Sequence, residues 1–323
     1  MRRAVVRGTG HYLPERVVEN SYFEGKLDTT DEWIRSRSGI ERRHFAAEGQ
    51  KTSDLGIAAC NAALEKAGIA ADRVDALIVA TSTPDLTFPS VATMIQAGIG
   101  MTRGFAFDVQ AVCAGFVFAM STADALIRSG QADRVLVVGA ETFSRIMDWT
   151  DRSTCVLFGD GAGAVLLEVE EGAGEVSDRG ILATDLNSDG NFRDLLYVDG
   201  GVGSTGTSGH LRMQGNLVFR HAVEKLANTA HRALDKAGIA AEAVDWLVPH
   251  QANLRIIEST AKRMHLPMEK VVLTVADHGN TSAASIPLAL SVADRRAQFT
   301  PGQVLVLEAI GGGLAWGSVV LRW

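Results

Sequence analysis

Of the chain's three cysteines, one is placed to act as a nucleophile. Cys113 follows the strand-like FAFDVQ and opens CAGFVFAMSTADALIRSG, in which Phe116, Met120, Ala123 and Ile127 recur at helical spacing. A thiol at a helix N-terminus meets unpaired N–H groups and partial positive charge, which favour the thiolate. Ala114 and Gly115 leave room for a carbonyl to approach the backbone. A free cysteine is more often a small buried hydrophobe. That reading suits Cys60, inside IAACNAALEKAG, and Cys155, inside TCVLFG. An odd number of wide-set cysteines without CxxC argues against a disulfide framework or a zinc site.

Two kinds of polar side chain could assist such a thiol. His250 ends the strand-like DWLVP and precedes Gln251, Ala252 and Asn253 at a helix start, so its ring can be held rigidly against a pocket. Asn280, in HGNTSAAS, carries an amide that can donate to a developing oxyanion, or can simply cap a turn. His278 stands two residues away, and the pattern alone does not choose between them. His11, His44, His210, His221, His231 and His265 have no companion signal. Gly311, Gly312 and Gly313 follow VLVLEAI. All these residues come just after apolar runs, and open α/β sheets gather their ligands at the carboxyl ends of strands.

Two glycine motifs do not bind nucleotide. Gly8-Thr9-Gly10 lacks a third glycine, and Leu13-Pro14 would break the required helix. The run FGDGAG, Phe158 to Gly163, leads into a strand-like segment. Both motifs are expected where packed halves approach closely.

The elements that must position these residues are duplicated. Ala63 to Ala80 (ALEKAGIAADRVDALIVA) and Ala233 to His250 (ALDKAGIAAEAVDWLVPH) agree at 11 of 18 positions with an offset of 170. RVLVVGAE at Arg134 pairs with QVLVLEAI at Gln303, and GDGAGAVLL at Gly159 with GLAWGSVVL at Gly313. So long a period implies a duplicated domain rather than a solenoid. The offset maps Cys113 onto residue 283, three positions from Asn280. Helical patterns over 53–67, 114–129, 218–237, 252–265 and 282–299 alternate with apolar runs at 75–81, 105–110, 134–139, 163–169, 245–248, 271–275, 304–309 and 317–322. This is an α/β pattern, for which a largely parallel sheet is expected. Gly68, Gly130 and Gly238 sit where helices would end. Residues 168–180 read as the joint, giving halves 1–172 and 173–323.

Bulk properties narrow the function classes. At 323 residues the chain can bury a large core. Its charge of −7, with basic residues dispersed, carries no nucleic-acid footprint. No apolar run approaches the ~20 residues of a membrane span, and the N-terminus lacks a secretory signal, so a cytoplasmic location is expected.

With Cys113, His250, Asn280 and the glycine turn in place, the sequence resembles the β-ketoacyl-acyl-carrier-protein synthase III family of thiolase-fold condensing enzymes. The likeness runs through GTGHYLPERVV, DEWIRSRSGIERR, DVQAVCAGF, FGDGAGA, PHQANLRI, HGNTSAASIP and EAIGGGLAWGS, essentially the whole chain. It implies a thiolase-like fold of two pseudo-symmetric α/β halves in layers α-β-α-β-α. It also implies a homodimer that condenses an acyl-CoA, with acetyl-CoA the expected starter, with malonyl-acyl-carrier protein, without metal or redox cofactor.

Residue by residue, the resemblance makes Cys113 the acylated nucleophile and gives malonyl decarboxylation to His250 and Asn280, leaving His278 outside the chemistry. Backbone N–H groups of Cys113 and Gly312 would form the oxyanion hole. Trp33, Arg37 and Arg152 would hold the coenzyme A nucleotide, and Asn253 would lie along the pantetheine arm. Phe88 would reach a partner's acyl pocket. Ile310 and Leu314 stand where many members carry Phe, which leaves starter length open. No second cysteine lies in Gly311 to Ser318, which disfavours degradative thiolase chemistry. Other readings are a condensing enzyme of secondary metabolism and a cysteine thioester hydrolase.

The helix over 252–265 adds a docking expectation. Leu254, Ile257, Ala261 and Met264 make its inward face. Arg255, Lys262 and Arg263 lie outside that face, beside His250 in sequence, where a basic patch could steer an acidic carrier protein.

Overall fold

The duplicated blocks build the same elements twice in the computed structural model, which describes Met1–Trp323. The first half runs β1 (Arg2–Tyr12), β2 (Arg16–Glu19), α1 (Asp31–Ser38), β3 (Arg42–Phe45), α2 (Thr52–Ala67), β4 (Ala76–Ala80), α3 (Val91–Gly98), β5 (Phe105–Val109), α4 (Gly115–Arg128), β6 (Arg134–Thr142) and β7 (Asp160–Glu171). The second runs β8 (Gly180–Ser188), β9 (Leu196–Val198), β10 (Leu211–Met213), α5 (Gly215–Ala237), β11 (Trp246–Pro249), α6 (Leu254–Arg263), α7 (Val275–His278), α8 (Ser285–Arg295), β12 (Val304–Gly311) and β13 (Ala315–Arg322). The repeated AGIAA segments close α2 and α5, and Gly68 and Gly238 take the same left-handed cap, φ 65° and 69°.

One sheet has the order β1-β7-β6-β4-β5 and the other β11-β12-β13-β8. Helices α2 and α3 cover the first sheet outside, α4 and α8 fill the space between the sheets, and α5 packs outside the second. This is the five-layered thiolase-like arrangement. Each layer boundary is an apolar core. In β4, Ala76, Ile78 and Ala80 face the central core while Leu77 and Val79 face the outer one, which is why ALIVA carries no polar alternation.

Three expectations need correction. The sheets are mixed, because β1–β7, β6–β7, β12–β13 and β13–β8 pair antiparallel and only β4–β5, β4–β6 and β11–β12 run parallel. Short returns such as Gly311 to Ala315 cannot make the crossover that a parallel pair needs.

Residues 271–275 are not a strand. They touch β11 at a single bridge, Val271 with Leu247, and turn into α7. The fully buried Gln251 side chain replaces the ladder, donating to the Pro249 and Val272 carbonyls and accepting from the Thr274 and Val275 N–H groups.

Gly8 and Gly10 serve packing within the first half rather than between halves. A Cβ on either would fall 2.4 or 2.3 Å from carbonyl oxygens of α2. Gly163 does lie between halves, where its Cβ would meet the Leu288 nitrogen at 2.5 Å.

Candidate active site

Cys113 lies in a 3₁₀ turn, Val112–Ala114, between β5 and α4, and a matching turn, Ser282–Ala284, precedes α8. The two turns meet where the halves join. Above them opens a cavity of about 390 Å³ whose lining includes Cys113, His250, Asn280, Trp33, Asn253 and Ile310. The structure therefore brings Cys113 of the first half together with His250 and Asn280 of the second, more than a hundred positions away in the chain.

The polar groups around the cavity are oriented from behind. The Asn280 Oδ1 accepts from the Ser282 N–H at 2.9 Å, so the amide nitrogen is the end left without a protein partner. His250 is nearly buried, with Nδ1 2.6 Å from the Ser285 hydroxyl. Its backbone N–H donates to the Glu308 carbonyl, fixing it to β12. Neither the Cys113 nor the Gly312 N–H has an acceptor within the protein. The glycine turn closes against Cys113 so tightly that a Cβ on Gly311 would fall 2.6 Å from the Cys113 nitrogen.

Burial dominates the electrostatics. It pushes the Cys113 thiol up to about 12, eased by the neighbouring Ser282 hydroxyl and reinforced by the charge of Glu141. The thiolate expected from the helix N-terminus is thus not the resting state. Desolvation lowers His250 to about 3, so it is neutral at physiological pH. His278 is lowered likewise but does not line the cavity. Glu141, fully buried, accepts from Thr81, Ser82 and Thr83 through one oxygen, and burial raises it to about 7.

At the cavity mouth, the guanidinium carbons of Arg37 and Arg152 lie 4.7 and 5.2 Å from the Trp33 ring centre. Arg37 and Trp33 line the cavity; Arg152 does not, and pairs with Asp28 at 2.6 Å. Asn253 lines it while capping α6 through the Arg255 N–H and donating to the Arg37 carbonyl. Arg255 also lines the mouth, and Arg255, Lys262 and Arg263 form no ion pair. Phe88 is elsewhere, 81% exposed on the first half, and contributes nothing to its own chain's cavity.

Residues 107–190 match the family described as 3-oxoacyl-[acyl-carrier-protein] synthase III, and residues 234–323 match its C-terminal region. The β-ketoacyl-[acyl-carrier-protein] synthase III of Paracoccus denitrificans is 81% identical over 323 residues, covering 100% of both chains. The chain belongs to this family.

Solved structures agree. The synthase III of Aquifex aeolicus superposes with a TM-score of 0.93 at 42% identity, covering 99% of this chain and 100% of that one. The priming β-ketosynthase of the R1128 polyketide pathway also reaches 0.93, at 34% identity, over 99% of this chain and 96% of that one. Like other synthases III, the chain is a condensing acyltransferase, and it initiates fatty-acid synthesis by condensation. No helix is long and apolar enough to cross a membrane.

Several residues lining the cavity have no signature in the sequence. Leu196, Met213, Phe219, Ala222 and Leu226 close one wall, and Ile310 packs into the same small apolar cluster with Leu314 and Trp316. They look like ordinary core positions. Only the path of β9, β10 and α5 around the cavity brings them to its wall.

Proposed function

We propose that Cys113 takes an acyl group from an acyl-CoA, with acetyl the starter, and passes it to the carbanion formed from malonyl-acyl-carrier protein. The observation that carries this reading is the single cavity shared by Cys113, His250 and Asn280, with Trp33 and Arg37 at its mouth. In the first step the Cys113 sulfur attacks the thioester carbonyl. The oxygen gathers charge against the free N–H groups of Cys113 and Gly312, the carbon–sulfur bond to coenzyme A breaks, and the thiol proton leaves with the coenzyme A sulfur.

In the second step malonyl thioester loses CO2, and the electron pair of that bond becomes an enolate. Donors from His250 and Asn280 hold its oxygen; each such donor contributes about 3 kcal/mol. The enolate carbon attacks the acyl-Cys113 carbonyl, forming the new carbon–carbon bond as the Cys113 thioester breaks, and the released Cys113 sulfur takes up one proton from water to restore the thiol. Loss of CO2 drives the sequence, and thioester activation supplies what a metal or redox cofactor would, so we propose that none is used.

The mouth suits coenzyme A: Trp33 offers a ring face to the adenine, with Arg37 and Arg152 beside it, and Asn253 lies along the path inward. The unpaired Arg255, Lys262 and Arg263 on α6 suit an acidic carrier protein. A homodimer accounts for the exposed Phe88 and Leu86, and for β5, an edge strand with Phe105 and Phe107 stacked at 6.3 Å. A working thiol nucleophile also requires a reducing compartment, which favours the cytoplasm. Primary fatty-acid synthesis is favoured over a polyketide role by the 81% identity to a synthase III against 34% to the polyketide priming enzyme.

The test is mass spectrometry after incubation with a panel of acyl-CoAs and malonyl-acyl-carrier protein. The expected result is an acyl adduct on Cys113 and a 3-oxoacyl-carrier product. Rapid thioester hydrolysis without malonyl acceptor would replace this reading with the hydrolase.

A further inference from the structure

His250 and Ser285 belong to different elements of the second half, 35 positions apart, and nothing in the sequence joins them. Ser285 is the first residue of α8 and His250 follows β11, yet the serine oxygen lies 2.6 Å from His250 Nδ1. Both are buried. The same oxygen accepts from the Gln251 N–H at 3.2 Å, and it has no other partner.

Those two contacts determine where the protons sit. A serine hydroxyl has one proton and two lone pairs. The Gln251 N–H can only donate, so it occupies a lone pair. The hydroxyl proton then has one acceptor within reach, Nδ1 of His250. Were Nδ1 protonated instead, the Ser285 proton would have no acceptor at all in a buried site, a state that costs the full desolvation of a polar group. His250 is neutral because burial lowers its pKa. With Nδ1 accepting, the ring's proton is on Nε2, the nitrogen with no protein partner, in a residue that lines the cavity.

We propose that Ser285 is a positioning residue that fixes His250 in the Nε2–H tautomer and in one ring orientation, so that the histidine acts as a hydrogen-bond donor and not as a base. This deepens the functional reading above and rests on it. It adds a specificity between half-reactions. A ring locked this way can stabilise the enolate oxygen of the malonyl half-reaction, yet it can neither accept the Cys113 proton at Nε2 nor activate water against the acyl-enzyme. Gln251, saturated by four hydrogen bonds, holds the backbone N–H that completes the device.

The test uses the full chain labelled with 15N-histidine, read by long-range proton–nitrogen correlation between pH 6 and 8. The expected His250 pattern is an unprotonated, hydrogen-bonded Nδ1 and a protonated Nε2; a proton on Nδ1 overturns the proposal without reference to any turnover. Ser285→Ala should shift the Nδ1 resonance and lower CO2 release from malonyl thioester about 10-fold or more, while acyl transfer to Cys113 stays within about twofold. Ser285→Thr, which keeps the hydroxyl, should restore both signals and also serves if the alanine variant folds poorly. Parental CO2 release in Ser285→Ala, or equal loss of both half-reactions, would overturn the positioning role. If wild-type protein releases no CO2 from malonyl thioester, the functional reading fails while the tautomer is still decided by the spectrum.

Discussion

Val112 and Ser282 stand 170 positions apart and share a left-handed backbone, φ 48° and 50°, although neither is glycine. Each opens a 3₁₀ turn that feeds a helix of the middle layer, α4 or α8. A β-branched residue such as Val112 adopts this conformation only where the surroundings impose it. The paired turns send Cys113 and Ala283 toward the join between the halves, where Ala283 packs against Gly139 and Gly115. The duplication thus supplies Cys113 from one copy, and from the other the Ser282 N–H that orients Asn280.

Cys113→Ala should abolish formation of a covalent acyl-enzyme, whereas Cys60→Ala and Cys155→Ala should leave it nearly intact, as read by intact mass. Because burial pushes the free thiol to about 12, its thiolate fraction rises about tenfold per pH unit below that value. Alkylation of the substrate-free enzyme should accordingly quicken from pH 7 to pH 9 without levelling. A plateau near neutrality would mean that the helix N-terminus outweighs burial.

Much of this site was legible from residue types. Cys113, His250 and Asn280 each follow an apolar run, and the repeat showed that residues 113 and 283 occupy equivalent places. The sequence misled where a side chain did a strand's work: residues 271–275 are apolar enough for β structure, but Gln251 satisfies their backbone groups. It was silent where contact is purely tertiary, as between Ser285 and His250, and along the Leu196, Met213 and Phe219 wall. The expected helix over 282–299 begins only at Ser285 because the left-handed Ser282 sits in a separate turn.

His250→Ala and Asn280→Ala should each retain acetyl transfer to Cys113 and lose CO2 release from malonyl thioester by ~10²-fold or more, the scale of a lost oxyanion donor. Radiolabelled CO2 capture measures the second half-reaction and intact mass the first. A variant releasing CO2 at the parental rate would remove that residue from the decarboxylation.

Glu308 gives a pH prediction. It is fully buried, neither carboxylate oxygen has a hydrogen-bond partner, and burial raises it from the ordinary 4.5 to about 8. The folded state therefore holds a proton that the unfolded chain releases above about 4.5. The associated stability is complete below that pH and is lost as pH rises through about 8. Glu308→Gln, which cannot ionise, should flatten the decline of melting temperature between pH 5 and 8.5. An unchanged slope would show that the decline arises elsewhere.

Phe88→Ala should shift the donor profile toward longer acyl-CoAs and weaken self-association, because a ring 81% exposed on the isolated chain has packing to lose only at an interface. Competition among acyl-CoAs of increasing length reads the first effect and sedimentation velocity the second. An unaltered profile together with an unaltered sedimentation coefficient would leave Phe88 an ordinary surface residue.

Helix α6 turns a basic surface outward. Ile257, Ala261 and Met264 are buried, Leu254 is half-buried, and Arg255, Lys262 and Arg263 are exposed on the remaining surface. A surface pair of Arg255 with Glu258 would have contributed only a few tenths of a kcal/mol, and the two form no salt bridge. Arg255 instead lines the cavity mouth, on a protein whose net charge of −7 otherwise repels an acidic partner. Arg255→Glu should therefore raise KM for malonyl-acyl-carrier protein about 10-fold and flatten its dependence on salt, since the steering charge is reversed. Acylation of Cys113 by acetyl-CoA should change little in comparison. Equal damage to both substrates would assign Arg255 to the general shape of the mouth, and no damage to either would leave the patch as solvated surface.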